Sequence, residues 1–220
     1  MATVVITGAN RGIGLEFVKQ YLAKGDKVFA LCRNTSDELS QTNAKVIDKV
    51  DVGSPECLEK TLRTFNDLKI DLLINNAGVL ANETLEHMSP TTLEYQFRVN
   101  AMGPLLVTQM LRKQLVKGAK VALISSRMGS ATDNTSGGRY GYRMSKAALN
   151  IAGVSLAHDL KEYEVAVALL HPGYVQTEMV NNSGDISAAV AVERLMQRIE
   201  ELNLSNSGTF WHSNGEVLPW

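Results

Sequence analysis

The sequence predicts an α/β protein with one doubly wound parallel sheet and helices on both of its faces, in three layers. Three observations support this prediction. Short apolar runs recur along the chain, and stretches with helical spacing of apolar residues lie between them. The runs are nearly continuous rather than alternating, which is typical of strands buried on both faces. A glycine-rich turn follows the first run and opens the first helical stretch.

Six runs are predicted as strands, at residues 4–6, 28–31, 46–47, 72–74, 121–124 and 165–170. The first helical stretch shows the i, i+3, i+4, i+7 spacing at Gly14, Phe17, Val18 and Tyr21. We see no internal repeat and no linker, so residues 1–220 are expected to form a single nucleotide-binding domain. Residues 207–220 are expected to add a last strand and a hairpin-like end.

Composition excludes several classes of partner. The net charge of −1 gives no reason to expect nucleic acid or an anionic membrane surface. No apolar run approaches the ~20 residues that a membrane span needs. The two cysteines, Cys32 and Cys57, form neither a CxxC motif nor a metal-binding spacing, which favours a reduced, cytoplasmic protein without a metal.

The turn from Thr7 to Gly14 is the first chemical signal. Its glycines allow a tight turn and a close approach of the backbone to a pyrophosphate, and the helix behind them presents free N–H groups. The spacing is GxxxGxG rather than GxGxxG, so a turn without a ligand stays an alternative. The turn predicts a Rossmann-like dinucleotide site, with cofactor contacts from Gly8, Asn10, Arg11, Gly12, Ile13 and Gly14.

The end of the second strand indicates the cofactor. An NAD site usually carries an acidic residue there, but this chain has Arg33. Arg33 and Arg11 offer two guanidinium groups to a 2′-phosphate. We therefore expect NADP(H), with NAD(H) possible, although both arginines could simply be solvated. Asp51 and Val52 follow the third strand, where the adenine would lie.

Two further segments adjoin the predicted site. Asn76, Ala77 and Gly78 follow the fourth strand, at the edge where parallel strands present ligands. In the helix expected after Ser89-Pro90, Pro104 has no N–H for the carbonyl of Asn100. That carbonyl could hold a water molecule, or the helix could simply be kinked.

The residues from Ser125 to Lys146 carry the predicted chemistry. Tyr142 and Lys146 lie one turn apart on a helix expected from about Arg139 to Glu162. A free tyrosine has a pKa of ~10, and an ammonium ~4 Å away would lower that pKa by roughly three units. Ser126 follows the fifth strand, and Ser125 is the alternative candidate for the functional serine. Tyr140 is the alternative to Tyr142, although the residue four positions after Tyr140 is methionine rather than lysine.

The helix after residue 139 is apolar nearly all round, which favours a homodimer or homotetramer over burial within one chain. His171 is expected to be a packed residue rather than a base. Pro172 and Gly173 end the sixth strand sharply, and they aim the following backbone, with Val175 and Thr177, at whatever lies over the sheet. Residues 178–185 form a short lid, and helical spacing resumes over 186–202.

These motifs together resemble the classical short-chain dehydrogenase/reductase family, over essentially the whole chain. Seven motifs occur in register, and the Tyr-Arg-Met-Ser-Lys and Leu-Pro-Trp segments resemble the branch of C-factor and sniffer-like carbonyl reductases. The resemblance implies that Ser126 binds the substrate oxygen and that Tyr142 protonates it. It further implies that Lys146 binds the nicotinamide ribose and that Asn100 holds a water linking Lys146 to solvent. Pro172, Gly173 and Thr177 would place the carboxamide.

Two functions are compatible with these motifs. The first is an NADP(H)-dependent oxidoreductase that acts on a small-molecule aldehyde, ketone or alcohol. The second is a dinucleotide-binding signalling protein of the C-factor type with little or no turnover. The intact set of Asn100, Ser126, Tyr142 and Lys146 favours the enzyme.

Overall fold

The computed structural model describes residues 1–220, and all seven strands belong to one parallel sheet. The strand order is β3-β2-β1-β4-β5-β6-β7. Their bounds are β1 Thr3–Thr7, β2 Lys27–Leu31, β3 Lys45–Ile47, β4 Ile70–Asn75, β5 Leu115–Ile124, β6 Ala166–His171 and β7 Phe210–His212. The order reverses between β1 and β4, and such a switch point is where doubly wound sheets bind ligands.

Seven helices cover the two faces. Their bounds are α1 Gly12–Ala23, α2 Asp37–Ser40, α3 Pro55–Leu62, α4 Pro90–Phe97, α5 Gly103–Leu111, α6 Tyr140–Asp159 and α7 Ala188–Glu201. Successive residues of β1 enter opposite layers: Val5 packs in a cluster with α3, α5 and α6, whereas Val4 and Ile6 pack with α1 and α7. This alternation confirms the predicted three-layer sheet.

Most strand bounds differ from the predicted ones by one or two residues, and four further features differ as well. Strand β5 begins at Leu115, ahead of the apolar run, with a register shift opposite Ile70 and Leu72. Helix α6 ends at Asp159 because a 3₁₀ turn follows and Glu164 adopts a left-handed conformation. Helix α7 begins at Ala188, since the Ser187 side chain accepts from the N–H of Val190. The four-residue helix α2 was not predicted.

Pro104 produces a local change of helix type. Residues Arg98–Met102 form one turn of π-helix between α4 and α5, with the N–H of Gly103 donating to the carbonyl of Arg98. Such single π-helical turns within α-helices are frequent at functional sites. The expected irregularity therefore exists, in the form of a widened turn that contains Asn100.

None of the helices combines the length and the hydrophobicity that crossing a membrane requires.

Candidate active site

One cleft of about 600 Å³ opens along the carboxyl ends of the strands, across the switch point. Its walls contain every residue that the sequence analysis assigned to cofactor binding, together with Ser126, Tyr142 and Lys146. Asn100 is the exception: it is fully buried and lies behind the wall. The structure thus places the glycine turn and the Tyr142–Lys146 pair on a single surface.

The glycine turn is packed against the loop after β4. Gly8 has φ of +65°, and a Cβ there would lie 2.7 Å from Cα of Ala77. A Cβ on Gly14 would lie 2.1 Å from the carbonyl oxygen of Gly8. No side chain fits at either position, so the backbone can come as close to a pyrophosphate as the turn requires.

Asn76 holds this turn in place. Its amide nitrogen donates to the carbonyls of Thr7 and Gly8, both at 3.1 Å. The hydroxyl of Thr7 in return accepts from the N–H groups of Asn76 and Ala77, both at 3.1 Å. A ligand contact is predicted for Asn76. In the structure this residue lines the cleft, and its side-chain amide shapes the glycine turn.

Both predicted arginines line the phosphate end of the cleft, and each has a partner that the sequence did not indicate. Arg11 forms an ion pair with Glu178 of the lid. Arg33 donates to the hydroxyl of Tyr95, which projects from α4. No acidic residue follows Arg33 at the end of β2, so the donor set fits a phosphorylated ribose better than a free 2′-hydroxyl.

The two serines after β5 have different partners. Ser125 is buried, and its hydroxyl donates to Oδ1 of Asn150 at 2.6 Å, toward the helix. The hydroxyl of Ser126 accepts from the N–H of Met128 at 3.1 Å. The same hydroxyl also acts on the phenol of Tyr142, in the direction that lowers its pKa. This geometry favours Ser126 over Ser125 as the substrate-binding serine.

Tyr142 and Lys146 are both buried in α6 and reach the cleft. Tyr140 is absent from the cleft wall, so the geometry favours Tyr142 as the reactive tyrosine. The ammonium of Lys146 lies 5.7 Å from the Tyr142 ring centroid and donates to the carbonyl of Ile124 at 2.7 Å. The bond to the carbonyl anchors the lysine at the end of β5.

Burial dominates the protonation of this pair. It raises the pKa of Tyr142, although the Ser126 hydroxyl and the charge of Arg139 act in the opposite direction. Burial also lowers the pKa of Lys146 to about 8. The expectation that Lys146 alone lowers the Tyr142 pKa is therefore wrong for this structure, because a water-excluding site disfavours both charged forms.

Asn100 has no free side-chain group. Its amide nitrogen donates to the carbonyl of Val79 at 2.8 Å and to the hydroxyl of Ser145 at 3.0 Å. Its Oδ1 accepts from the N–H of Val79 at 2.8 Å. The side chain fixes the loop after β4 beside Lys146, so any bond to water must come from the main chain of the π-helical turn.

His171 is a packed residue, as expected. Its ring lies edge-on to that of His212, with 4.9 Å between the centroids. Burial, with further contributions from His212, Arg127 and Lys146, lowers the pKa of His171 to about 3. The imidazole is therefore neutral at neutral pH.

The loop over 129–138, which the sequence left unassigned, is held from three sides. Arg143 of α6 donates to the carbonyl of Gly138 at 3.1 Å and to the hydroxyl of Ser136 at 2.9 Å. Asp133 pairs with Arg127 at 3.0 Å. The N–H of Thr132 donates to the carbonyl of Trp220 at 3.1 Å. None of residues 129–138 lines the cleft, but the residues on either side of the loop, Met128 and Arg139, do.

Comparisons with known proteins show the family of this chain. Residues 2–188 match the short chain dehydrogenase family. A 1-hydroxy-2-glutathionyl-2-methyl-3-butene dehydrogenase of Rhodococcus sp. (strain AD45) is 36% identical over 226 residues, covering 100% of both chains. The C-signal of Myxococcus xanthus is 42% identical over 154 residues, covering 69% of this chain and 93% of its own.

Solved structures show the same likeness. The carbonyl reductase Sniffer of D. melanogaster superposes with a TM-score of 0.90 at 27% identity, covering 100% of both chains. An NADPH-bound carbonyl reductase from chicken fatty liver gives 0.89 at 28% identity, covering 100% of this chain and 99% of its own. The chain therefore belongs to the short-chain dehydrogenase family, whose members are oxidoreductases acting on C=O and CH–OH groups.

Proposed function

We propose that this protein is an NADP(H)-dependent oxidoreductase that reduces an aldehyde or ketone, or oxidises the matching alcohol. The observation that carries the proposal is one continuous cleft: Ser126, Tyr142 and Lys146 lie at one end, and the glycine turn with Arg11 and Arg33 lies at the other. The relative from Rhodococcus is named as the dehydrogenase of a hydroxy compound, which agrees with this reaction class.

Each residue has a role that follows from its place. When bound, the nicotinamide supplies or accepts the hydride. Ser126 donates a hydrogen bond to the substrate oxygen, and Tyr142 delivers a proton to that oxygen. Lys146, anchored at the carbonyl of Ile124, binds the ribose hydroxyls of the cofactor. The π-helical turn around Asn100 holds the water that returns a proton through Lys146.

The raised pKa of Tyr142 favours one direction of reaction. A phenol whose pKa lies above its ordinary value is protonated at neutral pH and can donate a proton to a carbonyl oxygen. Oxidation of an alcohol needs the phenolate, so its rate should rise with pH. Reduction is therefore the direction that the protonated phenol of Tyr142 supports at neutral pH.

The experiment is a carbonyl screen with NADPH in which cofactor oxidation and alcohol formation are both quantified. The proposal expects one alcohol for each NADPH consumed. If NADPH binds tightly and no carbonyl compound in a broad panel is reduced, the proposal fails. The signalling function suggested by the likeness to C-signal would then be the better account.

The cofactor choice rests on the two arginines. We propose that they bind the 2′-phosphate, with Arg33 oriented by the Tyr95 hydroxyl and with Arg11 exchanging its solvent-exposed ion pair to Glu178 for the phosphate. A hydrogen bond to a charged group contributes about 1.5–3 kcal/mol, so Arg33→Ala should weaken NADPH binding roughly 10- to 100-fold and leave NADH binding nearly unchanged. Equal affinities of wild type for both cofactors, unaffected by Arg33→Ala, would exclude this role. Arg63→Ala, at an exposed site on another helix end, is the matched control.

We also propose that the protein is a homo-oligomer. Five apolar side chains are exposed on neighbouring helices and the π-helical turn, and they are Phe97, Met102, Leu105, Met144 and Ile151. Helix α6 packs against α4 and this turn, so these side chains share one region. Light scattering should give a dimer or tetramer for wild type and a smaller species for Ile151→Asp. A monomeric wild type would contradict the proposal.

A further inference from the structure

The substrate end of the cleft combines an apolar wall with two arginines. Leu80, Met128, Tyr174, Met179 and Val180 supply the apolar surface beside Tyr142. Arg127 and Arg139 flank it, one directly after Ser126 and the other three residues before Tyr142. An apolar wall with a few placed charges is typical of a pocket that orients a small molecule.

The charge of Arg127 is already neutralised. Its Nε lies 3.0 Å from Oδ2 of Asp133, and its Nη2 lies 3.3 Å from both carboxylate oxygens of Glu216. These pairs connect the loop over 129–138 to the segment after β7. The guanidinium of Arg127 is therefore occupied by carboxylates of the protein itself and has a structural role rather than a ligand-binding one.

Arg139 has only neutral partners. Its Nε donates to Oδ1 of Asn82 at 3.0 Å, and its Nη1 lies 3.9 Å from the sulfur of Met128. It forms no ion pair. The neighbouring carboxylate of Glu83 accepts from the side chain of Gln96 instead. A full positive charge thus faces the cleft beside the reactive tyrosine.

The backbone of Arg139 is held in an unusual conformation. Its φ and ψ are 50° and 46°, which is the left-handed region that side-chain-bearing residues rarely adopt. The N–H of Arg139 donates to the carbonyl of Glu83 at 2.8 Å, and this bond fixes it at the start of α6. Backbone strain of this kind is concentrated at binding and catalytic sites.

We propose that Arg139 is a specificity-determining residue that binds a carboxylate on the carbonyl substrate. The preferred substrates are then aldehydes or ketones with an apolar body and a carboxylate at the far end from the reacting carbon. The planar guanidinium can form two parallel bonds to a carboxylate, and the positive end of α6 adds to the attraction. The inference rests on the proposed reductase function.

The test compares 4-formylbenzoate with its methyl ester, which has the same aldehyde without the charge. We would measure kcat/KM for both with NADPH, in wild type, Arg139→Gly, Arg139→Lys and the surface control Arg63→Ala. Glycine keeps the left-handed backbone accessible. Removing the charge also changes the environment of Tyr142, but that effect applies to both aldehydes and cancels in the acid-to-ester ratio.

We expect the acid-to-ester ratio to fall at least about tenfold in Arg139→Gly, which corresponds to about 1.4 kcal/mol. Arg139→Lys should restore part of the ratio, because it keeps the charge without the fork. Arg63→Ala should not change the ratio. If both aldehydes are reduced and the ratio is the same in wild type and Arg139→Gly, this inference is wrong while the reductase function stands. If wild type reduces neither compound nor any other carbonyl, both fail together.

Discussion

Replacing Lys146 by methionine tests the electrostatic account of the site. Burial lowers the pKa of Lys146 from 10.5 to about 8, so the unfolded chain binds a proton more readily than the folded protein between these values. Below pH 8 the buried ammonium therefore destabilises the fold, by about 3 kcal/mol. This destabilisation is relieved as pH rises from 8 toward 10.5. Methionine has a similar length and no charge, so it removes the pH dependence.

The assay is urea unfolding at pH 7, 8, 9 and 10, followed by circular dichroism. The free energy of unfolding of wild type should rise by about 2 kcal/mol relative to Lys146→Met over this range, while the slope with urea stays constant. Losing the hydrogen bond to the Ile124 carbonyl changes the free energy of unfolding of the variant by an amount that does not depend on pH. In Lys60→Met, on the exposed face of α3, the free energy of unfolding should change with pH in parallel with that of wild type. Parallel curves for wild type and Lys146→Met would refute the claim that burial controls this lysine.

Three further predictions concern single residues of the cleft. Because the pKa of His171 is lowered from 6.5 to about 3, acidification should destabilise the fold by up to about 4–5 kcal/mol. His171→Gln should therefore unfold at a lower pH than wild type, and an unchanged acid midpoint would contradict this. Gly14→Ala places a Cβ 2.1 Å from the Gly8 carbonyl oxygen, so thermal melting should show about 1–3 kcal/mol of destabilisation. Titration with NADPH should show that binding is lost, and intact binding would refute the packing argument. Ser126→Ala should lower kcat/KM for carbonyl reduction by about 10²-fold or more, whereas Ser125→Ala should mainly lower stability; the reverse pattern would exchange their roles.

The sheet and the ends of its strands were accessible from sequence because both depend on short-range patterns. Continuous apolar runs identify strands buried on two faces, and the residues directly after them must lie at one edge of a parallel sheet. That rule brings the glycine turn, Arg33, Gly78 and Ser126 to one cleft, and the structure confirms it. The Tyr142–Lys146 pair follows from helical spacing alone.

Other features depend on contacts between distant segments. Tyr95 meets Arg33 across 62 positions, and Glu178 meets Arg11 across 167, so no local pattern indicates either pair. The protonation of Tyr142 could not be worked out either, because burial outweighs its charged neighbours and burial depends on the whole fold. The left-handed backbone of Arg139 is set by a bond to the Glu83 carbonyl, which sequence spacing does not show.

The most direct test of the proposed function compares Tyr142→Phe with Tyr140→Phe in NADPH-dependent carbonyl reduction. The two tyrosines are neighbours on α6, but only Tyr142 lines the cleft. Loss of a positioned general acid typically costs about 10²- to 10⁴-fold in rate, so Tyr142→Phe should lose at least about 10² in kcat/KM, and Tyr140→Phe should stay close to wild type. Turnover by Tyr142→Phe at the wild-type rate would contradict the account.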